Sequence, residues 1–367
     1  MTYLLKPPAT QQFVGIQILR FVAAMLVVVM HITQAVSVHI TGQGANSYWA
    51  VGSSGVDIFF VISGFVMAMT VSGLSANQHA RSVSAWIFLK RRILRIAPLY
   101  WFYTILKVCL LVALPSLASR SSIEPWHLAS SLFFIPTVSP WGDIQPVLPV
   151  GWTLNFEMIF YAVFALTILI GAPLVRFCLT VFMLMFASAY FLPESIALSF
   201  YAQLIIFEFV LGICIAHILS RYLKLQPLLG LLFLVMGFTV IFGFSSDVSH
   251  DRFFTWGLGA ALLVWGVTGL ESWVARMPLA STLAYLGDAS YSIYLSHTFV
   301  VPAGVMVLSR LGLQNPIAIG LCVAAAVMVT GCISHQWLEK PMTAWLKRVL
   351  FQTPKQAYPT WTHKHER

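Results

Sequence analysis

The stretch Arg20-Phe-Val-Ala-Ala-Met-Leu-Val-Val-Val-Met-His31 decides the fold. Ten unbroken apolar residues lie between two ionisable side chains, and the apolar character extends over about 14–38, enough for a helix to cross a bilayer. Ionisable groups inside such a span are costly and mark function by default. At 100° per residue, eleven steps return to within about 20° of the starting direction, so Arg20 and His31 share one helix face about three turns apart. An arginine and a histidine aligned inside a membrane point to buried chemistry.

The rest of the chain has the same character. Of its 367 residues, 59% are apolar and only 9% charged, whereas a soluble domain carries roughly a quarter charged residues. Ten stretches are apolar enough to span, at about 14–38, 55–73, 96–114, 150–171, 174–192, 200–219, 228–244, 254–271, 287–308 and 315–336. The expected fold is therefore an all-α polytopic membrane protein of about ten transmembrane helices.

Lys and Arg crowd alternate connections, namely those with Arg81 to Arg95, Arg221 and Lys224, Arg276, and the tail from Lys340 to Arg367. The opposite connections hold only Arg120, Arg252 and Arg310. By the positive-inside rule both termini face the cytoplasm, and the net charge of +9 reflects topology rather than binding of nucleic acid. The first apolar segment is too long for a signal-peptide core and is expected to remain as an anchor. One helical domain, residues 1–345, followed by a short basic tail, 346–367, describes the organisation. Residues 115–149 carry six prolines, which argues against a continuous helix and suggests a re-entrant lid over a cavity. The five cysteines fall in expected spans with no Cys/His metal spacing, so they are expected as buried small hydrophobes, and no metal is expected.

Four further segments carry polar groups that an apolar span does not need. Gly52-Ser-Ser-Gly-Val-Asp-Ile-Phe-Phe-Val-Ile-Ser-Gly-Phe65 enters the second span with Asp57 at its mouth and Ser63 inside. Asp57 there is open to solvation or to a structural role as helix cap or partner, and Ser63 to simple close packing. Arg91, Arg92 and Arg95 precede the third span; Arg91 and Arg95 are four apart on one face, which suits gripping phosphates as well as anchoring. In Gly151-Trp-Thr-Leu-Asn-Phe-Glu-Met-Ile-Phe-Tyr161, Glu157 lies one to two turns into a span beside Trp152, Asn155 and Tyr161. It suits an ion pair with an intramembrane arginine or acid–base work. Tyr291, Tyr294 and His297 follow at steps of three and climb one side of a late span.

Together these segments resemble the acyltransferase 3 family of integral membrane acyltransferases, from about Gly15 to Pro341. The Arg-x10-His pattern falls on Arg20 and His31, GxxGVDxFFVISGF on Gly52 to Phe65, and RRxxRIxPxYW on Arg91 to Trp101. WxLxxExxFY falls on Trp152 to Tyr161 and YSIYLxH on Tyr291 to His297. The resemblance is nearest to bacterial exopolysaccharide- and O-antigen-modifying members.

It implies transfer of an acyl group, usually acetyl, from cytoplasmic acyl-CoA to a hydroxyl of a polysaccharide or lipid-linked sugar, in a bacterial inner membrane. Acetyl-CoA would be a substrate, with no tightly bound cofactor, and polysaccharide-assembly proteins would be possible partners. The resemblance makes His31 catalytic with Arg20 as its partner and Glu157 in support. Arg91, Arg92 and Arg95 would hold the coenzyme A phosphates. Asp57, Ser63, Trp152, Asn155, Tyr161, Tyr291 and His297 would contact substrate. Chemically, neutral His31 suits a base, Arg20 suits stabilising an oxyanion, and a polar seam of Arg20, His31, Ser63 and Glu157 would line the route. A secondary transporter or lipid-linked glycan translocator, with the buried Arg, His and Glu as proton relay or substrate site, is the alternative; it fits less well with the arginine cluster and the lack of recognisable inverted repeats.

Overall fold

A computed structural model describes residues 13–42, 49–71, 78–114, 124–221, 225–243 and 252–351. Arg120, Lys224, the first part of the proline-rich segment and the tail beyond residue 351 lie outside the described residues. Among the described residues the only extended pairing is an isolated bridge between Val138 and Ile144. Everything regular is helical: α1 Val14–Val36, α2 Ser54–Val71, α3 Gln78–Ala113, α4 Pro125–Leu132 and α5 Trp152–Ile170. There follow α6 Leu174–Phe191, α7 Ile196–Tyr201, α8 Glu208–Arg221, α9 Pro227–Gly243 and α10 Leu258–Gly269. The chain ends with α11 Glu271–Val274, α12 Ala280–Asp288, α13 Ser290–Arg310, α14 Pro316–Ser334 and α15 Lys340–Phe351.

The protein is an all-α polytopic membrane protein. Among the described residues, eight helical stretches are long and apolar enough to cross a bilayer, and Pro227–Gly243 and Phe253–Gly269 are shorter apolar helices in two further expected positions. α3 begins well before the expected span at 96 and runs unbroken through Pro98, because the basic stretch ahead of the proline is itself helical. Helix ends follow local chemistry. Asn315 caps α14 by accepting the Ile317 and Ala318 N–H groups at 3.0 and 3.1 Å ahead of Pro316. Gly171, at φ 69°, takes the left-handed turn that stops α5.

Two glycines set the spacing of the bundle. A Cβ at Gly64 would collide with the Phe209 carbonyl, and one at Gly287 with the Gln17 carbonyl, so α2 meets α8 and α12 meets α1 at backbone contact. The α2–α8 contact is reinforced by stacked rings, Phe60 on Phe209 at 4.5 Å and Phe160 of α5 on Phe209 at 4.2 Å. Such pairs add about 0.5–1.5 kcal/mol each beyond burial. The outer surface is apolar, with Leu228, Ile317 and Leu321 all exposed, as hydrocarbon surroundings require. That reverses part of the cysteine expectation: only Cys178 is fully buried, while Cys109 and Cys322 face outward. A thiol on a lipid-facing surface loses no more than one in the core.

Residues 124–151 fold back onto the bundle. His127 Nε2–H donates to the Gln145 carbonyl at 2.8 Å, and Ser131 Oγ accepts the Val147 N–H at 2.9 Å. Phe134, Leu148 and Val150 are buried in the core, Phe134 against the Tyr100 ring at 5.0 Å. At the end of the bundle that carries Arg91, α15 rests on α3: Lys90 Nζ donates to the Leu350 carbonyl at 2.6 Å and lies 4.7 Å from the Phe351 ring. α15 runs continuously through residue 346.

Candidate active site

A cavity of ≈ 130 Å³ opens between α1, α2, α3, α5 and α13. Eight residues singled out in the sequence line it: Arg20, Ser63, Arg92, Arg95, Glu157, Tyr161, Tyr291 and Tyr294. Each arrives for a local reason. The Gly64–Phe209 contact brings Ser63 inward, and the i, i+4 spacing of Glu157 and Tyr161 puts both on the inner face of α5, where the Tyr161 hydroxyl donates to Glu157 Oε2 at 2.6 Å. The i, i+3 spacing of Arg92 and Arg95 places both on the cavity face of α3, and Tyr291 is fixed by donating to the Ile96 carbonyl at 2.9 Å.

Arg20 is 9% exposed, and its Nη1 donates to Gln17 Oε1 at 2.8 Å. Arg95 and the carboxylates of Glu157, Asp288 and Glu339 lie within electrostatic reach of it. Glu339 in turn accepts from the Ser292 hydroxyl at 2.6 Å and pairs with His335 Nδ1 at 2.8 Å. The cavity wall thus presents three guanidinium groups against the single carboxylate of Glu157. Of the three, Arg20 is buried, Arg92 half-buried and Arg95 exposed, and an excess of positive charge around one cavity attracts anions.

The other expected residues lie elsewhere. Arg91 is exposed outside the cavity, 5.9 Å from the Phe351 ring. Trp152 packs edge-on against Phe156 at 6.0 Å, and Asn155 is 3% exposed with its Oδ1 unpartnered among the described residues. Asp57 is fully buried rather than solvated at the interface, because Arg252 reaches it with two bonds, Nε to Oδ1 at 3.0 Å and Nη2 to Oδ2 at 2.8 Å. Glu208, also fully buried, sits in the same electrostatic cluster.

His31 lies beyond the cavity, so the expected seam is lined by Arg20, Ser63 and Glu157 without it. Its Nδ1–H donates to the Val27 carbonyl at 3.0 Å. A carbonyl oxygen can only accept, so Nδ1 holds the proton and Nε2 of the neutral ring carries the free lone pair. The ring lies 4.8 Å from that of His297. His297 lies 5.7 Å from the ring of Tyr294, and Tyr294 lines the cavity while its hydroxyl contacts the Val150 carbonyl and Thr153 Oγ1, both at 3.2 Å. Cavity, Tyr294, His297 and His31 are therefore contiguous.

Several of these groups escaped the sequence reading. Gln17, Thr153 and Ser290 line the cavity without a charge to draw notice. Glu208 was detectable by the argument used for Glu157, a carboxylate within an apolar span. Arg252 was one of three basic residues on the side of the bundle assigned to Asp57.

The described helices thus form a polytopic bundle around a strongly basic cavity, with His31 set beyond it behind Tyr294 and His297. The match is specific: a family profile described as an acyltransferase domain covers residues 13–336, and the chain belongs to that acyltransferase family. Among relatives, it is 34% identical over 303 residues to exopolysaccharide production protein ExoZ of Rhizobium meliloti (strain 1021), covering 80% of this chain and 90% of that protein. It is 29% identical over 173 residues to protein 2 in the picA locus of Rhizobium radiobacter, covering 43% of this chain and 83% of that protein. No solved structure matches.

Proposed function

We propose that this membrane acyltransferase works in the bacterial inner membrane, moving acetyl from cytoplasmic acetyl-CoA to a sugar hydroxyl of an exported polysaccharide or its lipid-linked precursor. One observation carries the donor assignment: three guanidiniums gathered around one carboxylate on the wall of a single cavity match the phosphates of a coenzyme A thioester. The polysaccharide acceptor follows the relative named for exopolysaccharide production.

Arg92 and Arg95 take the phosphates from within the cavity, Arg91 adds charge at the entrance, and Glu157 with Tyr161 holds the arginine pair in place. Eleven residues of α-helix rise about 16 Å, too far for Arg20 to reach an oxyanion formed at His31. Arg20, fixed by Gln17, belongs with the anionic donor instead. The pantetheine arm extends past Ser63, Tyr291 and Tyr294, bringing the thioester toward His31. There His31 Nε2 takes the proton of the acceptor hydroxyl as its oxygen bonds to the acetyl carbon. The carbon–sulfur bond breaks, and the departing thiolate recovers that proton from His31.

Deleting the gene in its host and measuring O-acetyl content of the surface polysaccharide tests this. The expected result is loss of O-acetyl groups, restored by the wild-type chain and not by His31→Ala. Unchanged acetylation in the deletion strain overturns the acceptor assignment.

A further inference from the structure

His297 is completely buried, with its ring N–H directed at the Ile293 and Tyr294 carbonyls, and the lone pair of its other ring nitrogen meets no donor among the described residues. A buried imidazole lone pair without a donor is costly, since it forfeits its hydrogen bond to water. A packing role alone is met by phenylalanine at no such cost. The ring lies 4.8 Å from His31, tilted by 54°, while Tyr294 covers its other approach at 5.7 Å. His297 does not line the cavity, and Tyr294 stands between the two. The placement sets it behind His31, not against substrate.

The chemistry at His31 supplies the missing partner. With Nδ1–H already committed to the Val27 carbonyl, a proton arriving on Nε2 turns the ring into an imidazolium in an apolar bundle. A charge formed there is expensive unless a polar group faces it. Among the described aromatic contacts of His31, His297 is the one present. We infer that His297 is a positioning residue for His31: its lone pair faces the imidazolium that His31 becomes during transfer. That lone pair meets its complement only when His31 is charged, in an ion–dipole contact with the imidazolium ring, whose two N–H groups stay on the Val27 carbonyl and on the reacting oxygen or sulfur. His297 neither gains nor loses a proton over the cycle; the proton passes from the acceptor hydroxyl to His31 and on to the thiolate. This rests on His31 being the base proposed above. An interaction made only in the transition state lowers kcat when removed and leaves binding intact.

The test compares purified full-length wild type with His297→Phe, which keeps a ring and removes the lone pair, and with His297→Asn and His297→Gln, which keep an acceptor. Each is checked for folding by size-exclusion in detergent, and each is read twice. The first readout is acetyl transfer from acetyl-CoA. His297→Phe should lose about 100-fold in kcat with KM for donor and acceptor within threefold, and the better amide variant should recover at least tenfold of that. Adding His297→Phe to His31→Ala should cost nothing further. The second readout needs no transferase activity: ethoxycarbonylation of His31 by diethyl pyrocarbonate, followed by mass spectrometry. It also places a positive charge on the ring, so His297→Phe should slow it severalfold and the amides less.

A His297→Phe enzyme with wild-type kcat overturns the inference and leaves the acyltransferase reading standing. So does a loss confined to KM, or amide variants no better than phenylalanine. If wild-type protein transfers nothing from acetyl-CoA, the donor reading falls, and the modification rate at His31 alone decides the inference. Should His297→Phe not fold, the two amide variants against wild type decide it, a kcat below one-hundredth of wild type in both counting against the role.

Discussion

Arg20 and His31 sit on one face of α1, yet Arg20 lines the basic cavity while His31 lies beyond it, its ring 4.8 Å from that of His297. The helix that joins them therefore serves as a ruler. It separates the basic cavity from the paired rings of His31 and His297, with Tyr294 between them, and so divides the proposed donor site from the proposed base. Such a division suits a donor whose charged end and reacting end are joined by a long arm.

Donor recognition distinguishes neighbouring arginines. Arg92→Met and Arg95→Met, which empty charge from the cavity, should each raise KM for acetyl-CoA by about 10–100-fold, or roughly 1.4–2.8 kcal/mol, with smaller changes in kcat. Arg91→Met, which removes charge outside the cavity, should change KM by less than threefold. Steady-state kinetics on purified protein checks this, and equal effects at all three positions would show that the cavity does not define the donor site.

The Asp57–Arg252 bridge joins α2 to the turn that leads into α10. Arg252→Met leaves Asp57 without its cation in a fully buried place beside Glu208. It should destabilise the fold by about 3–5 kcal/mol, read as a drop in thermal midpoint in detergent. Arg252→Met combined with Asp57→Asn should recover most of that loss, since no unpaired aspartate charge remains.

Close helix packing gives a sharper structural contrast. Gly64→Ala drives a methyl into the Phe209 carbonyl, whereas Gly320→Ala meets the Ile32 side chain at 3.6 Å, an ordinary contact. Gly64→Ala should abolish recovery of monodisperse protein, and Gly320→Ala should leave it unchanged.

Glu157 and Tyr161 should act as a unit. Tyr161→Phe removes the hydroxyl that donates to Glu157 at 2.6 Å, and it should weaken donor binding by about tenfold through the arginine pair. In a Glu157→Gln background the same change should have little further effect, which a double-mutant cycle on KM measures.

Much of this arrangement was legible in the sequence, because apolar runs longer than 18 residues and charges placed inside them are both unambiguous. Arg20 and Glu157 stood out as ionisable groups in costly places, and Arg91 and Arg95 as a pair on one face ahead of a span; the structure brings Arg20, Glu157 and Arg95 to one cavity with Arg92 and leaves Arg91 outside it. Periodicity grouped Tyr291, Tyr294 and His297 but could not say that the cavity stops at Tyr294. Helical spacing puts Arg20 and His31 on one face, but it could not show that the cavity lined by Arg20 does not include His31, whose ring lies against His297. The Arg252–Asp57 pair joins residues 195 apart in sequence, a tertiary contact that no local pattern announces. The tautomer of His31 likewise became readable only with the Val27 carbonyl in view.

The most direct measurement is transfer of radiolabelled acetyl from acetyl-CoA to polysaccharide by the purified protein in liposomes, comparing wild type with His31→Ala at matched amounts. The account predicts label in the polysaccharide with wild type and at least a 1,000-fold lower rate with His31→Ala. Transfer by His31→Ala at the wild-type rate would contradict it.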